Sequence, residues 1–243
     1  MSRLRILFQD EYYIVVDKPA GFYVHPPEGY GSGAGESVRI PKSLNTLALL
    51  RDQLGHYVYT VHRLDRATSG VLIFAKTGEM ARRLSPEFSE RRLQKTYFAF
   101  VRGWIMEDLV IDNELDGKES ITEVYPVKRV KFSEAVGCHP EVRATLVKIH
   151  IRTGRHHQIR RHLKRRNHPL YGDTVHGDGK HNQWMRKKVP TLGLFLKCYQ
   201  ITFLHPVTQS EITVTSQWNS DWHPFFEWIG VCAWTKKALL SVE

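Results

Sequence analysis

Apolar positions along this chain switch between strand-like and helix-like spacing. Residues 5–16 carry two apolar patches on either side of Gln9-Asp10-Glu11, the pattern of a hairpin. The hairpin runs into "DKPAG" (Asp17 to Gly21), where Lys18-Pro19 restricts the backbone and Gly21 turns it. Leu47, Leu50 and Leu54 fall on one helical face, with Asn45 placed to cap the helix and Gly55 to stop it. Tyr57–Val61 and Val71–Ala75 have strand composition, the second as a short buried run. Met80, Leu84 and Phe88 predict a second helix with Thr77 as cap, kinked or restarted at Ser85-Pro86. Gln94 to Gly103 reads as a strand with Lys95, Tyr97, Ala99 and Val101 on one face.

The second half is less regular. Residues 106–140 are polar and poorly periodic, so only a small β excursion is expected there. Arg143–Arg152 alternates cleanly, with Thr145, Val147, Ile149 and Ile151 facing one way. Thr153-Gly154 turns the chain into a helix over His156–Arg166, its buried pair Ile159 and Leu163, ended by Pro169. Leu192–Pro206 reads as one or two strands. The tail aromatics Trp218, Trp222, Phe225, Phe226 and Trp228 suit core packing better than a base-stacking platform. No internal repeat appears, and no clean boundary cuts the 243 residues into independent domains. The stretch 24–43 is rich in Pro, Gly and Ser and is expected to be a mobile loop.

Charge changes this picture more than composition does. Thirty-five Lys and Arg against 25 Asp and Glu give a net charge of +10, which suits a polyanionic partner. Nine of these cations lie between Val142 and Gly172, where the sequence holds no Asp or Glu. Such a cluster repels itself unless an anion lies against it, and nucleic-acid phosphates are the expected anion. No large apolar face accompanies the charge, so a membrane surface is disfavoured, and no apolar run approaches a bilayer span. Cys138, Cys198 and Cys232 are scattered, which favours reduced thiols in a cytoplasm.

Several chemistries are excluded by spacing. His150, His156, His157, His162 and His168 lack the i, i+4 pair and the nearby cysteine or carboxylate of a zinc site, so no metal is expected. "GYGSGA" (Gly29 to Ala34) imitates a dinucleotide fingerprint but follows two prolines instead of a buried strand. No G-x-S-x-G supports serine hydrolase chemistry, and a glycosidase ordinarily needs two carboxylates flanking the bond.

One loop remains. In "TVHRLDRATSGVLIFAKT" (Thr60 to Thr77) a single carboxylate, Asp65, sits among two arginines and a histidine between two buried strands. A rigid scaffold presenting a charged loop is a common way to build a site, although a surface ion pair has the same composition.

"HRLDRATSG" (His62 to Gly70) resembles the H-R-L-D-x-x-T-S-G signature of RluA-type pseudouridine synthases at every fixed position. It is accompanied, in order, by "KPAG" (Lys18 to Gly21), "QKTY" (Gln94 to Tyr97), "TGRHHQIRRH" (Thr153 to His162) and "HPLYGD" (His168 to Asp173). The resemblance implies an α+β catalytic domain over residues 1–243: a long mixed, mainly antiparallel sheet with flanking helices, in two halves around an active cleft. It implies isomerisation of uridine to pseudouridine in RNA without metal or cofactor. The chain begins directly at the catalytic domain, with no separate N-terminal RNA-binding domain expected. "ILFQDEYYIVVDKPAG", "RDQLGHYVYTVHRLDRATSGVL" and "FVRGWIMEDLVID" are most similar to the branch acting at position 65 of transfer RNA. A cytoplasmic monomer acting on tRNA is therefore expected. Ribosomal RNA and a non-catalytic RNA-binding module are the competing readings. Relatives often show L-H-A where this chain has Leu196-Lys197-Cys198.

By that resemblance Asp65 is the catalytic carboxylate, Arg160 the cation that keeps it ionised, and Tyr97 the active-site tyrosine. Three roles are open to Asp65: attack at C1′, addition to C6, or action as a base at the sugar. Contacts to the RNA are expected from His62, Arg63, Arg66, Lys95, Arg155, His157, Gln158, Arg161, Lys164 and Arg165.

Overall fold

A computed structural model describes residues 3–25, 41–89, 93–191, 193–218 and 222–231. The Gly-rich segment 29–34 and Cys232 lie outside the described residues. The backbone divides into two compact units, interleaved in sequence: Met1–Leu93 with Gln200–Ser216, and Gln94–Tyr199 with Gln217–Glu243.

In the first unit the expected hairpin forms from β1 (Arg5–Gln9) and β2 (Tyr13–Lys18), antiparallel. Asp10 makes the turn, its Oδ1 accepting the Tyr12 and Tyr13 backbone N–H groups at 2.7 Å. A 3₁₀ turn over Lys42–Leu44 leads into α1 (Thr46–Leu54). The Asn45 side chain caps that helix at the Ala48 N–H and left-handed Gly55 ends it. β3 is only Tyr59–Thr60, shorter than the composition suggested, because Tyr57 and Tyr59 face solvent. β4 (Ser69–Ala75) is buried on both faces and pairs antiparallel with β2 from Ala75 opposite Tyr13 to Gly70 opposite Lys18. α2 (Gly78–Ser89) is capped by Thr77 Oγ1 and runs on through Pro86 as one helix, so of the two expected alternatives, kink or restart, there is no restart.

The second unit is built on β5 (Gln94–Arg102), β6 (Leu109–Ile111), β7 (Thr122–Phe132) and β8 (Val142–Ile151), paired antiparallel in the order β5-β8-β7-β6. The expected small excursion is thus a principal part of this sheet. Its alternation was hidden by Pro126, which sits where the register slips between Pro126 and Lys128. α3 covers Gln158–Arg165 with Ile159 and Leu163 buried as expected. α4 (Gly179–Lys188), capped by Asp178, was not signalled by any clear apolar stripe. β9 (Leu196–Leu204) supplies its first residues, to Tyr199, to this unit, and the rest pairs in the first unit with β10 (Glu211–Thr215). α5 (Trp222–Trp228) brings Trp222, Phe225 and Phe226 into one cluster with Phe98, Phe100, Tyr171 and Phe195, so the tail aromatics are core. Helices and antiparallel strands in these proportions make the α+β class plain. No described helix is long and apolar enough to cross a membrane.

Candidate functional site

Lys18 explains how the Asp65 loop is held. It is the last residue of β2, carried into the interior by the run "YIVVD", and its side chain has no exposed surface. Its ammonium donates to three carbonyl oxygens: Phe22 at 2.8 Å, Pro19 at 2.9 Å and Arg66 at 3.2 Å. Three donors meeting three acceptors is full satisfaction for a lysine. Burial lowers its pKa to about 7, while the negative charges of Asp65 and Asp17 pull the other way. The Gly21 N–H also donates to the Arg66 carbonyl at 2.8 Å, and the Arg66 guanidinium reaches back to the Gly21 carbonyl and lies over the Tyr23 ring. Gly21 has φ +87°, a conformation that favours glycine at this junction. The two loops "DKPAG" and "HRLDR" are therefore tied backbone to backbone.

The other end of the motif loop is fixed by His62. Its Nε2 accepts the Ile73 N–H at 3.0 Å, and its ring stacks on Phe88 at 4.8 Å. His62 thus anchors the loop to β4 and α2, an internal role for a residue expected to touch RNA. The Thr68 N–H closes the turn on the Asp65 carbonyl at 3.0 Å. Asp65 itself is half-buried, while Arg63 and Arg66 are exposed.

In the second unit, Tyr97 is buried in β5 opposite Ile149 of β8. Lys95, two residues earlier, has its pKa lowered by burial, with Cys198 opposing that shift. Arg160 is buried in α3 and grips Asp173 with two parallel bonds, Nε at 2.7 Å and Nη2 at 2.8 Å. Burial pushes the Asp173 carboxyl up. The bonds from Arg160 and from the backbone N–H groups of His176 and Val175 outweigh it, so the net shift is downward. Asn182 completes the frame, donating to the Asp173 carbonyl and accepting the Gly172 N–H. "HPLYGD" therefore acts as the holder of the Arg160 guanidinium.

Gln158 is likewise internal. Its Oε1 accepts from the Thr153 hydroxyl and the Arg155 N–H, and its Nε2 donates to the Ile121 carbonyl and the Thr122 hydroxyl. With both ends of the amide occupied, it fixes the Thr153-Gly154 turn against β7. His157, at φ +52°, stacks on His156 at 3.8 Å and shares a 2.9 Å hydrogen bond with His176.

The basic block is less isolated in space than in sequence. Arg161 forms a bidentate pair with Asp116 at 2.8 Å, Arg152 meets Glu123 at 2.9 Å, and Arg160 has Asp173. Arg155 and Arg165 reach the carbonyls of Glu119 and Glu114 at 3.1 Å and 3.0 Å. The acids of residues 114–123, outside the block, compensate part of its charge. Lys164 and Arg165 on α3, and Arg166 at its C-cap, remain exposed.

Sequence reasoning gave no role to Lys18, Asp173 or His176. The signal for Lys18 was a lysine ending an otherwise apolar strand; for Asp173, a lone acid closing a long basic stretch. Among the described residues no group of three or more His, Cys, Asp or Glu is placed to hold a metal ion.

Residues 12–165 match the family model described as RNA pseudouridylate synthase. The chain is similar to the tRNA pseudouridine synthase C of Vibrio parahaemolyticus, 36% identical over 93% of this chain and 96% of the relative. It is also similar to the protein of that name from Vibrio cholerae, 35% identical over 98% and 99%. Two solved human structures share the fold at a TM-score of 0.67 and 21% identity. RNA Pseudouridylate Synthase Domain Containing 1 covers 88% of this chain and 83% of its own, and Domain Containing 4 covers 93% of each.

Proposed function

The chain belongs to the RNA pseudouridylate synthase family, and on that premise we propose that it isomerises one uridine of transfer RNA, position 65, to pseudouridine. The reaction breaks the bond between C1′ and N1, turns the uracil over, and joins C5 to C1′. C5 gives up its proton and N1 gains one, so no cofactor is consumed. A folded RNA hides the glycosidic bond, and exposing the nucleotide costs a few kcal/mol. Phosphate contacts from Lys164 and Arg165 on α3, and from Arg166 at its C-cap, offset that cost.

Asp65 is the carboxylate of this reading. What supports it most is the double tether of its loop, Lys18 Nζ and Gly21 N–H both on the Arg66 carbonyl next door. A binding module has no evident need to hold one acid so firmly, whereas a reaction at one sugar carbon does. Tyr97 supplies the aromatic face for the uracil, and its hydroxyl assists loss of the C5 proton. Arg160, rigid on Asp173, is the cation of this reading.

Mapping of pseudouridine in cellular RNA, with and without this chain, tests the proposal. Loss of the modification at position 65 of transfer RNA supports it. Loss confined to ribosomal RNA would move the substrate, and an unchanged map would remove the activity.

A further inference from the structure

A cavity of about 490 Å³ opens in the second unit where β5 ends, lined by groups from four parts of the chain. Arg102 comes from the end of β5, His139, Glu141 and Arg143 from the approach to and start of β8, Asn167 from the turn after α3, and His181 from α4. Tyr97 lies five residues back along β5, or about 17 Å at the usual rise of a strand.

The lining is rich in donors. Two guanidinium groups, two imidazoles and one amide face a single carboxylate, and that carboxylate is divided between Arg143 at 2.6 Å and Lys131 at 3.0 Å. Arg143 is oriented by the Trp104 ring, 4.6 Å from its guanidinium carbon. Arg102 is held from behind by Asp178. His181, buried in the lining, faces Asp178 through its Nδ1. The His181 nitrogen lies 3.3 Å from Asp178 Oδ1, which also accepts the backbone N–H groups of Lys180 and His181. An open polar cavity with more donors than acceptors in its lining suits an anion.

The mouth is open, since His139, Arg143 and Asn167 are exposed or half-exposed. The exposed Lys164, Arg165 and Arg166 immediately precede Asn167 of the lining along the chain. We propose that this cavity is a phosphate-binding site that takes up a backbone phosphate of the RNA, several nucleotides from the reacting uridine. The proposal rests on the RNA reading above and adds a second point of attachment to it.

The test uses the full chain. Imidazole NMR signals of His139 and His181 are followed during addition of inorganic phosphate, and separately of transfer RNA. Both probes should shift both signals, and Arg143→Gln should suppress the shifts. Signals moved by inorganic phosphate but not by transfer RNA would assign the site to small phosphate compounds and overturn the RNA proposal; signals moved by neither would overturn the site. In turnover, Arg143→Gln should raise KM for transfer RNA about fivefold with kcat unchanged, because the arginine binds a phosphate and takes no part in the chemistry. Arg5→Gln, which removes an exposed cation from β1, should leave KM within about twofold. Equal losses in the two variants would reduce the effect to net charge and contradict the proposal. Release of the C5 proton by the wild-type chain is measured alongside. Its absence counts against the pseudouridine reading, while its presence with unmoved histidines counts only against this site.

Discussion

Lys18 Nζ donates at 3.2 Å to the carbonyl of Arg66, one residue beyond Asp65, from a position with no solvent exposure. Lys18→Met keeps the aliphatic volume but leaves the carbonyls of Pro19 and Phe22 without this donor, and that of Arg66 with the Gly21 N–H alone. The expected cost is about 3 kcal/mol of stability, with a further loss in kcat as the loop loosens. The pH dependence has a definite sign. The folded-state pKa is about 7, whereas the unfolded lysine keeps its proton to about 10.4. Between these values the unfolded chain binds the extra proton, so this group makes the fold more stable as pH rises. Below pH 7 both states are protonated and the contribution is flat. Urea denaturation from pH 6 to 10 should show the rise in the wild type and a smaller one in Lys18→Met; equal slopes would contradict the assignment.

Asp173 and Arg160 form a pair whose members are 0% and 6% exposed. Removing one partner leaves a buried charge, so Asp173→Ala should lose about 3–5 kcal/mol. Arg160→Met, which removes the cation that the proposal assigns to the reaction, should lose activity beyond what its stability loss explains. The folded pKa of Asp173 is lowered, so its contribution is complete above the unfolded value and disappears as pH falls through the folded one. Denaturation curves from pH 5 down to 2.5 should converge for wild type and Asp173→Asn.

Gly172 combines φ +76° with an added Cβ that would collide with the Gly193 carbonyl oxygen. Backbone cannot move aside as a side-chain tip can. Gly172→Ala should therefore destabilise by several kcal/mol, about 3 or more. Gly21, at φ +87°, has open space around its Cβ position, so Gly21→Ala should cost only about 1–2 kcal/mol. Thermal melts of the two variants give the comparison directly.

Much of this architecture is legible in the residues themselves, and its gaps have physical causes. The first hairpin, the Asn45 cap, the Gly55 stop and the buried β4 rest on local rules of turn, cap and burial, and they appear where expected. β7 reads in the sequence as only a small β excursion because Pro126 and a register slip break the two-residue period. α4 was missed because "GKHNQWMRKK" buries His181, Asn182, Trp184 and Met185, a face half of which is polar. The motif loop stood out through its spacing. The internal work of His62, Gln158 and Asp173 did not, since a side chain that bonds backbone reads in sequence like one that bonds RNA. The acids that balance Arg152 and Arg161 come from other parts of the chain, so the basic block reads as more exposed than it is.

Arg161 and Arg166, five residues apart along the chain, should respond differently to substitution. Arg166 is exposed, and its reversal to Glu should lower the salt slope of transfer RNA binding by about one unit. Arg161 is already paired with Asp116, so Arg161→Gln should change the slope less and loosen the turn at residues 114–118 instead. Fluorescence anisotropy over a salt series checks both. Equal changes would mean that the Asp116 pair opens on binding.

The central claim is that the Asp65 carboxylate performs the isomerisation. Transfer RNA carrying tritium at uridine C5 reports it directly, since joining C5 to C1′ releases that label to water. The wild-type chain should release one equivalent per modified site, while Asp65→Asn should release none and bind the RNA with nearly unchanged affinity. Release by Asp65→Asn at the wild-type rate would contradict the account.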